Sequence, residues 1–245
     1  MRAILTYHSI DGSGSPISMP PERFRAHVRW LASGLVAVVP LDALLRGEGG
    51  DSAVALTFDD AFANFATHAA PLLAEHAFPA TLFVPTGFVG GRNAWAGTGA
   101  RGIPDLPLLG WSALARLAER GIALGSHGRT HRPLAGLAAS DLADEVEGSA
   151  EDLLRHTGVR PRAFAYPYGS VDGAAASRVR AVYDIGCTTV LRGLRDAEDP
   201  VWLPRVDAYY LRAPGRLESW GTAHLRRYLR LRAVARRLRE AYHVG

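Results

Sequence analysis

The chain has 245 residues, 48% hydrophobic and 21% charged, an ordinary balance for a globular protein with one sizeable core. No internal repeat, low-complexity tract or apolar run long enough to span a bilayer occurs, which excludes a repeat architecture and a membrane-spanning apolar helix. The net charge of +4 is uneven: from Arg205 to Gly245 ten arginines face only Asp207, Glu218 and Glu240, giving +7 there and −3 elsewhere. Every basic residue is arginine, read here as a coding bias. Cys187, the single cysteine, excludes an intrachain disulfide and reads as a buried thiol. Met1-Arg2 runs directly into a short apolar segment with no secretory h-region, so a cytoplasmic location is expected.

In chain order, Ile4 to Tyr7 reads as a strand. Pro20-Pro21-Glu22 opens a helix with Phe24, Val28 and Leu31 at helical spacing. Val36 to Val39 is a short strand, followed by a small helix at Leu41 to Leu45. Val54 to Phe58 is a buried strand, Phe62 to His76 a helix, and Thr81 to Val84 a strand. Residues 86–109, rich in Gly and Pro, read as a long loop of the kind that often carries function. Then come a helix at Trp111 to Glu119, a strand at Ile122 to Leu124, and a helix capped by Ser140 or Asp141 and closed by Gly158. A strand at Ala163 to Tyr166, a helix at Ala174 to Val182 and a strand at Ile185 to Val190 follow. Leu217 to Tyr242 reads as a long amphipathic helix.

Repeated βα units predict a mostly parallel sheet, and 245 residues suit an α/β barrel built as one domain. Residues 1–210 are expected to form the barrel and 211–245 a basic helical extension of it. Polar residues fall just after strands: His8, Asp59, Asp60, His127 and the Tyr166-Pro167-Tyr168 run. In a parallel barrel these strand ends meet on one face, where barrel enzymes place their chemistry.

Two motifs stand out. In Thr57-Phe58-Asp59-Asp60, adjacent carboxylates at the end of a buried strand are costly, because burial and like charge both penalise ionisation. A metal ion relieves that cost for one of them while the other faces the substrate. In Ser126-His127-Gly128-Arg129-Thr130-His131, two imidazoles four residues apart can converge on one ion if the segment turns helically. Asp60, His127 and His131 together form a donor set that leaves positions open for water and substrate.

These motifs, followed by Phe164-Ala165-Tyr166-Pro167-Tyr168-Gly169, resemble the polysaccharide deacetylases, the NodB-homology or carbohydrate esterase family 4 group. Leu5-Thr6-Tyr7-His8 and Leu203-Pro204-Arg205-Val206 resemble in particular the branch of poly-β-1,6-N-acetylglucosamine deacetylases. The resemblance spans about residues 2–210. It implies a distorted (β/α)7 TIM-like barrel and a divalent ion, usually zinc, with Co2+, Ni2+ or Fe2+ compatible with the same donors. It further implies Asp59 as general base, Asp60, His127 and His131 as metal ligands, and an N-acetylated amino sugar as substrate.

Three departures from the wider family pattern shape the expectations. Ala165 stands where many members carry the arginine that orients the base, and Arg205 is the candidate substitute. No late Leu-x-His segment supplies a general acid, and His8, at the end of the first strand, is the candidate that the branch resemblance suggests. Ser126 stands where Asn is common, with little effect expected on metal binding. Tyr166, Pro167, Tyr168 and Trp95 are candidates for lining a sugar groove, against plain packing roles. The C-terminal helix places Leu217, Trp220, Leu225, Tyr228, Leu231, Val234 and Leu238 among many arginines. It either packs on the barrel with a solvated arginine face or makes peripheral contact with an anionic membrane, which would suit a lipid-linked sugar substrate. No nucleic-acid motif accompanies the charge. Two other readings stand beside the sugar deacetylase: a deacylase of a non-sugar amide, and a catalytically inactive sugar-binding protein.

Overall fold

The computed structural model describes residues 1–95 and 102–242, the last four by backbone alone. Seven parallel strands run side by side in the order β7-β6-β5-β4-β3-β1-β8. They are β1 (Arg2–Tyr7), β3 (Ala53–Phe58), β4 (Ala80–Val84), β5 (Ala123–Ser126), β6 (Ala163–Ala165), β7 (Ile185–Cys187) and β8 (Val206–Asp207). A two-residue strand, β2 (Ala37–Val38), pairs with the start of β3 on the edge whose later residues pair with β4. The curled sheet closes through Leu203, which bridges Cys187 just before β8. The result is a distorted (β/α)7 barrel in a single domain. Among the described residues no helix is long and apolar enough to cross a membrane.

Period-two alternation sorts each strand into two faces. Leu5 and Tyr7 of β1 and Val54, Leu56 and Phe58 of β3 pack outward in one core cluster with Phe24 and Val28 of α1 (Pro21–Leu31). Ile4, Ala53, Ala55, Phe83, Ala163, Ala165, Ile185, Cys187 and Leu203 form the other cluster, the barrel interior. Small residues dominate that interior because the strands converge there, and Phe83 fills the gap. A β-carbon at Gly125 would lie 2.5 Å from the Phe83 ring, so only glycine fits opposite it. Cys187 is buried, and burial pushes its thiol up to about 12, consistent with an inert structural role. Carried one step past the strand ends, the same alternation turns His8, Asp59 and His127 toward the barrel axis.

The outer layer holds α1, α2 (Leu41–Leu45), α3 (Ala70–Glu75), α4 (Trp111–Glu119), α5 (Ala139–Ala143), α6 (Ser149–Thr157), α7 (Gly173–Val182) and α8 (Ala223–Tyr242). Several boundaries differ from the sequence expectation. The helix expected from Phe62 begins with a π-turn at Phe65–Ala69, because Phe62 is held in a bridge to Leu108. The helix expected from Ser140 starts at Ala139 with no side-chain cap; Asp141 instead reaches Arg132 at 3.3 Å. A π-turn, Asp144–Gly148, joins α5 to α6. The long loop is pinned by a bridge between Arg92 and Pro107 and by Trp95, buried with Phe62 and Leu108. Its residues 96–101 lie outside those described. The C-terminal helix starts only at Ala223, since Gly221 takes a left-handed turn (φ 75°) after a 3-10 turn at Leu217–Ser219. Leu211, Leu217, Trp220, Leu225 and Leu229 pack in the same cluster as β1 and α1.

Under the site, Tyr7 donates its hydroxyl to Nδ1 of buried His27 at 2.9 Å, and His27 Nε2 donates to the Leu211 carbonyl at 3.2 Å. Burial lowers the His27 pKa to about 4, so the ring is neutral, with its proton on the nitrogen that faces the carbonyl. The unfolded chain therefore binds this proton below its ordinary 6.5 while the folded one does not. Stability is expected to fall as pH drops from about 6.5 to about 4, by roughly 2–3 kcal/mol from this group. Urea unfolding across that range, compared with His27→Gln, checks it: equal pH slopes in the two proteins would remove His27 from the account.

Candidate active site

The strand ends and the segments that follow them bring His8, Asp59, Asp60, His127, His131 and Arg205 together. Asp59, 2% exposed, follows interior-facing Thr57 and points into the barrel mouth. Its two oxygens accept Nη1 and Nη2 of Arg205, each at 2.7 Å. Arg205 follows interior Leu203 by the same alternation, donates Nε to the Thr188 carbonyl at 3.0 Å, and is itself buried. Burial alone would raise the Asp59 carboxyl; the Arg205 guanidinium, then His127, override it and hold the group well below the usual carboxylate range. The fork-to-fork geometry fixes the plane of the carboxylate as well as its charge.

Asp60 does not continue the strand. It and Ala61 adopt left-handed backbone (φ 73° and 53°), which swings the second carboxylate away from the first. His131 and Tyr168 are also left-handed, at 54° and 58°. Left-handed conformation in non-glycine residues costs about 1–2 kcal/mol each, and its concentration at the site marks a backbone bent to aim side chains. The segment from His127 to His131 brings the two rings together without a helical turn, through left-handed Gly128 and His131.

His127 donates Nδ1 to the Ala165 carbonyl at 2.7 Å, which leaves the Nε2 lone pair facing Asp60 Oδ1 at 3.6 Å. His131 Nε2 lies 3.1 Å from the same oxygen. Burial lowers the His127 pKa to about 4, so the ring is neutral and ready to donate electrons. Burial would raise Asp60, but His131 and His127 hold it below its ordinary value. Asp60 Oδ1 is buried and makes no aligned hydrogen bond. One atom from each of Asp60, His127 and His131 lies within 4.8 Å of the others, a set that can hold a metal ion. A cation between them would give the orphaned oxygen its partner, and the Ala165 carbonyl would orient one of its ligands, His127, from behind.

Glu145, fully buried on the π-turn, holds the histidine segment in place. It accepts the backbone N–H of Arg129 at 2.8 Å and of Thr130 at 3.0 Å, and the Thr130 hydroxyl. Arg129 in turn donates to Asp152 at 2.8 and 3.0 Å and packs where Gly148 has no side chain.

A cleft of about 350 Å3 opens over these residues. His8 stands at its edge, 22% exposed, with Nε2 3.8 Å from Asp59 Oδ2. Trp95 lines the cleft with its ring stacked on His131 at 4.2 Å, and Tyr168 stands edge-on to His131 at 4.9 Å, 42% exposed. Tyr166 also lines it, although it is buried and its hydroxyl donates to the Val201 carbonyl. Pro167 is buried behind them beside the Gly128 turn. Glu145, Tyr209, Tyr210 and Arg236, which also shape this region, were not among the sequence candidates for the site.

A family model described as polysaccharide deacetylase matches residues 46–188, more than half of the chain. The chain belongs to the polysaccharide deacetylase family. The chain is similar to the YxkH protein of Bacillus subtilis (strain 168), with 26% identity over 76% of this chain, and it spans 63% of that relative. Among solved structures it is similar to the Streptococcus pyogenes deacetylase PplD in complex with acetate (TM-score 0.72, 21% identity, 84% of this chain and 91% of that one). It is likewise similar to IcaB from Ammonifex degensii (TM-score 0.71, 21% identity, 88% and 93%). At these identities the structures speak for the polysaccharide deacetylase fold.

Proposed function

We propose that this deacetylase removes the N-acetyl group from an amino sugar or an N-acetylglucosamine-containing glycan, with a divalent ion, zinc first among the candidates. The observation that carries the reading is the Arg205–Asp59 fork set beside the orphaned Asp60 oxygen and two histidines. A sugar-binding protein has no use for an ionised, oriented, buried carboxylate next to a metal donor set.

Asp60, His127 and His131 would hold the ion, which when bound supplies Lewis-acid polarisation of the acetamide and eases deprotonation of water. Asp59 accepts the proton of the attacking water on the oxygen that faces the cleft. Arg205 keeps that carboxylate ionised and correctly turned. His8, across from Asp59, is placed to protonate the departing amine. Trp95 braces His131 from one side, and Tyr168 offers an exposed ring to a sugar face.

Metal analysis of the purified protein, with acetate release from N-acetylglucosamine oligomers before and after chelation, tests the proposal. About one metal per chain and chelator-sensitive release are expected. Metal without release from any glycan, but release from a simple amide, would move the substrate to the non-sugar class. His8→Ala is expected to cut turnover about 10²–10⁴-fold with metal content unchanged; full activity would remove His8 as the acid.

A further inference from the structure

We infer that α8 is an interfacial helix that seats the protein on an anionic lipid surface beside the mouth of its active site. Its first turns are buried by Leu225 and Leu229, and Tyr228 is half-covered. Among the described side chains beyond Leu229, the barrel covers only Ala233 and Arg236 in part. Leu231, Val234 and Leu238 are 60%, 55% and 61% exposed. At helical spacing these three share one face, roughly 180–240° around from Leu225. Three large aliphatic side chains aligned in water form a stripe that a monomer has no reason to keep.

The charge around the stripe selects its occupant. Between Ala223 and Leu238 the sequence has six arginines and no acidic residue. Arg226, Arg230 and Arg237 are exposed along one flank, and Arg227 lies at the head of the stripe. Aliphatic side chains flanked by arginine match acyl chains under anionic headgroups. A second copy docked helix to helix would set arginine against arginine. A nucleic acid would engage the arginines and leave the leucines without a partner.

The stripe is tied to the site. On the opposite face of α8, Arg236 lines the cleft and donates to the Thr189 carbonyl at 3.2 Å. The Thr189 hydroxyl in turn donates to the Tyr168 carbonyl, and Val190 beside it is 41% exposed. The lipid surface therefore lies about one helix diameter, roughly 10 Å, from the mouth.

The experiment is co-sedimentation of the full chain with vesicles of phosphatidylcholine, with and without phosphatidylglycerol, at low and high salt. It needs no substrate, so its outcome is independent of the deacetylase reading. Binding is expected to the phosphatidylglycerol vesicles, to weaken with salt, and to be absent on pure phosphatidylcholine. Leu231→Ser with Leu238→Ser, which leaves the charge unchanged, is expected to weaken binding roughly tenfold or more. Arg230→Gln with Arg237→Gln is expected to do so at low salt only. These residues are exposed, so the variants should keep the native circular dichroism. No binding by the wild type at low salt overturns the inference, as does binding that the serine variant leaves intact. A dimer in light scattering that the serine variant dissolves also overturns it, since a second copy would then cover the stripe.

Discussion

Replacing Asp59 with asparagine is expected to lower kcat/KM by about 10²–10⁴-fold while leaving metal content and fold intact. Asparagine keeps an acceptor oxygen for Arg205 but cannot take a proton. The partner substitution separates orientation from basicity. Arg205→Lys keeps a positive charge and loses the two-pronged grip seen at 2.7 Å on both oxygens. The rise that burial imposes on Asp59 is then less fully opposed, so its pKa moves up. A carboxylate must be ionised to act as base, so the acid limb of the kcat/KM profile is expected to shift to higher pH. Arg205→Ala should shift it further, with loss of stability, since one half of a buried pair then stands alone. Activity at every pH equal to wild type in both Arg205 variants, with metal bound, would show that the guanidinium only fills space.

Replacing Glu145 with alanine is expected to weaken metal binding about 10–100-fold, although Glu145 touches none of the three candidate ligands in the hydrogen bonds described. Its carboxylate gathers two consecutive backbone N–H groups and a hydroxyl from the segment between His127 and His131. Without it those part-buried donors lose their acceptor, and the left-handed turn at His131 loses its hold. Glu145→Gln, which keeps one acceptor oxygen, should fall between. Competitive chelator titration reads the affinity, and thermal unfolding of the metal-free protein reads stability separately. A lowered midpoint with unchanged affinity would make Glu145 a brace for the fold alone.

The alternation of apolar residues made the barrel legible, and with it the meeting of His8, Asp59 and His127 at one mouth. Arg205 was legible because Ala165 left a gap that needed filling, and the structure sets its guanidinium on Asp59. The left-handed turns at Asp60 and His131 were not, because a non-glycine residue at positive φ leaves no mark in the sequence. Glu145 did leave one. It sits on the apolar stripe of Leu142, Val146 and Leu153, where a charge must have buried partners. Leu217 and Trp220 lie outside the last helix, which begins after the left-handed turn at Gly221, so they do not share a helical face with its later apolar residues. Leu229 took the buried place, and Leu231, Val234 and Leu238 were left outside.

The narrow closure of the barrel has its own consequence. Arg205 reaches Asp59 across 146 residues of chain, on a segment joined to β7 by the Leu203 bridge and to β1 by only two residue pairs. The three candidate metal ligands sit on the well-paired side, between β3 and β5. Opening along that seam would free the base from its guanidinium while the ion's pocket stayed assembled. Metal stoichiometry and the fraction of working molecules would then be separate quantities, and a fully loaded preparation would not by itself be a fully active one.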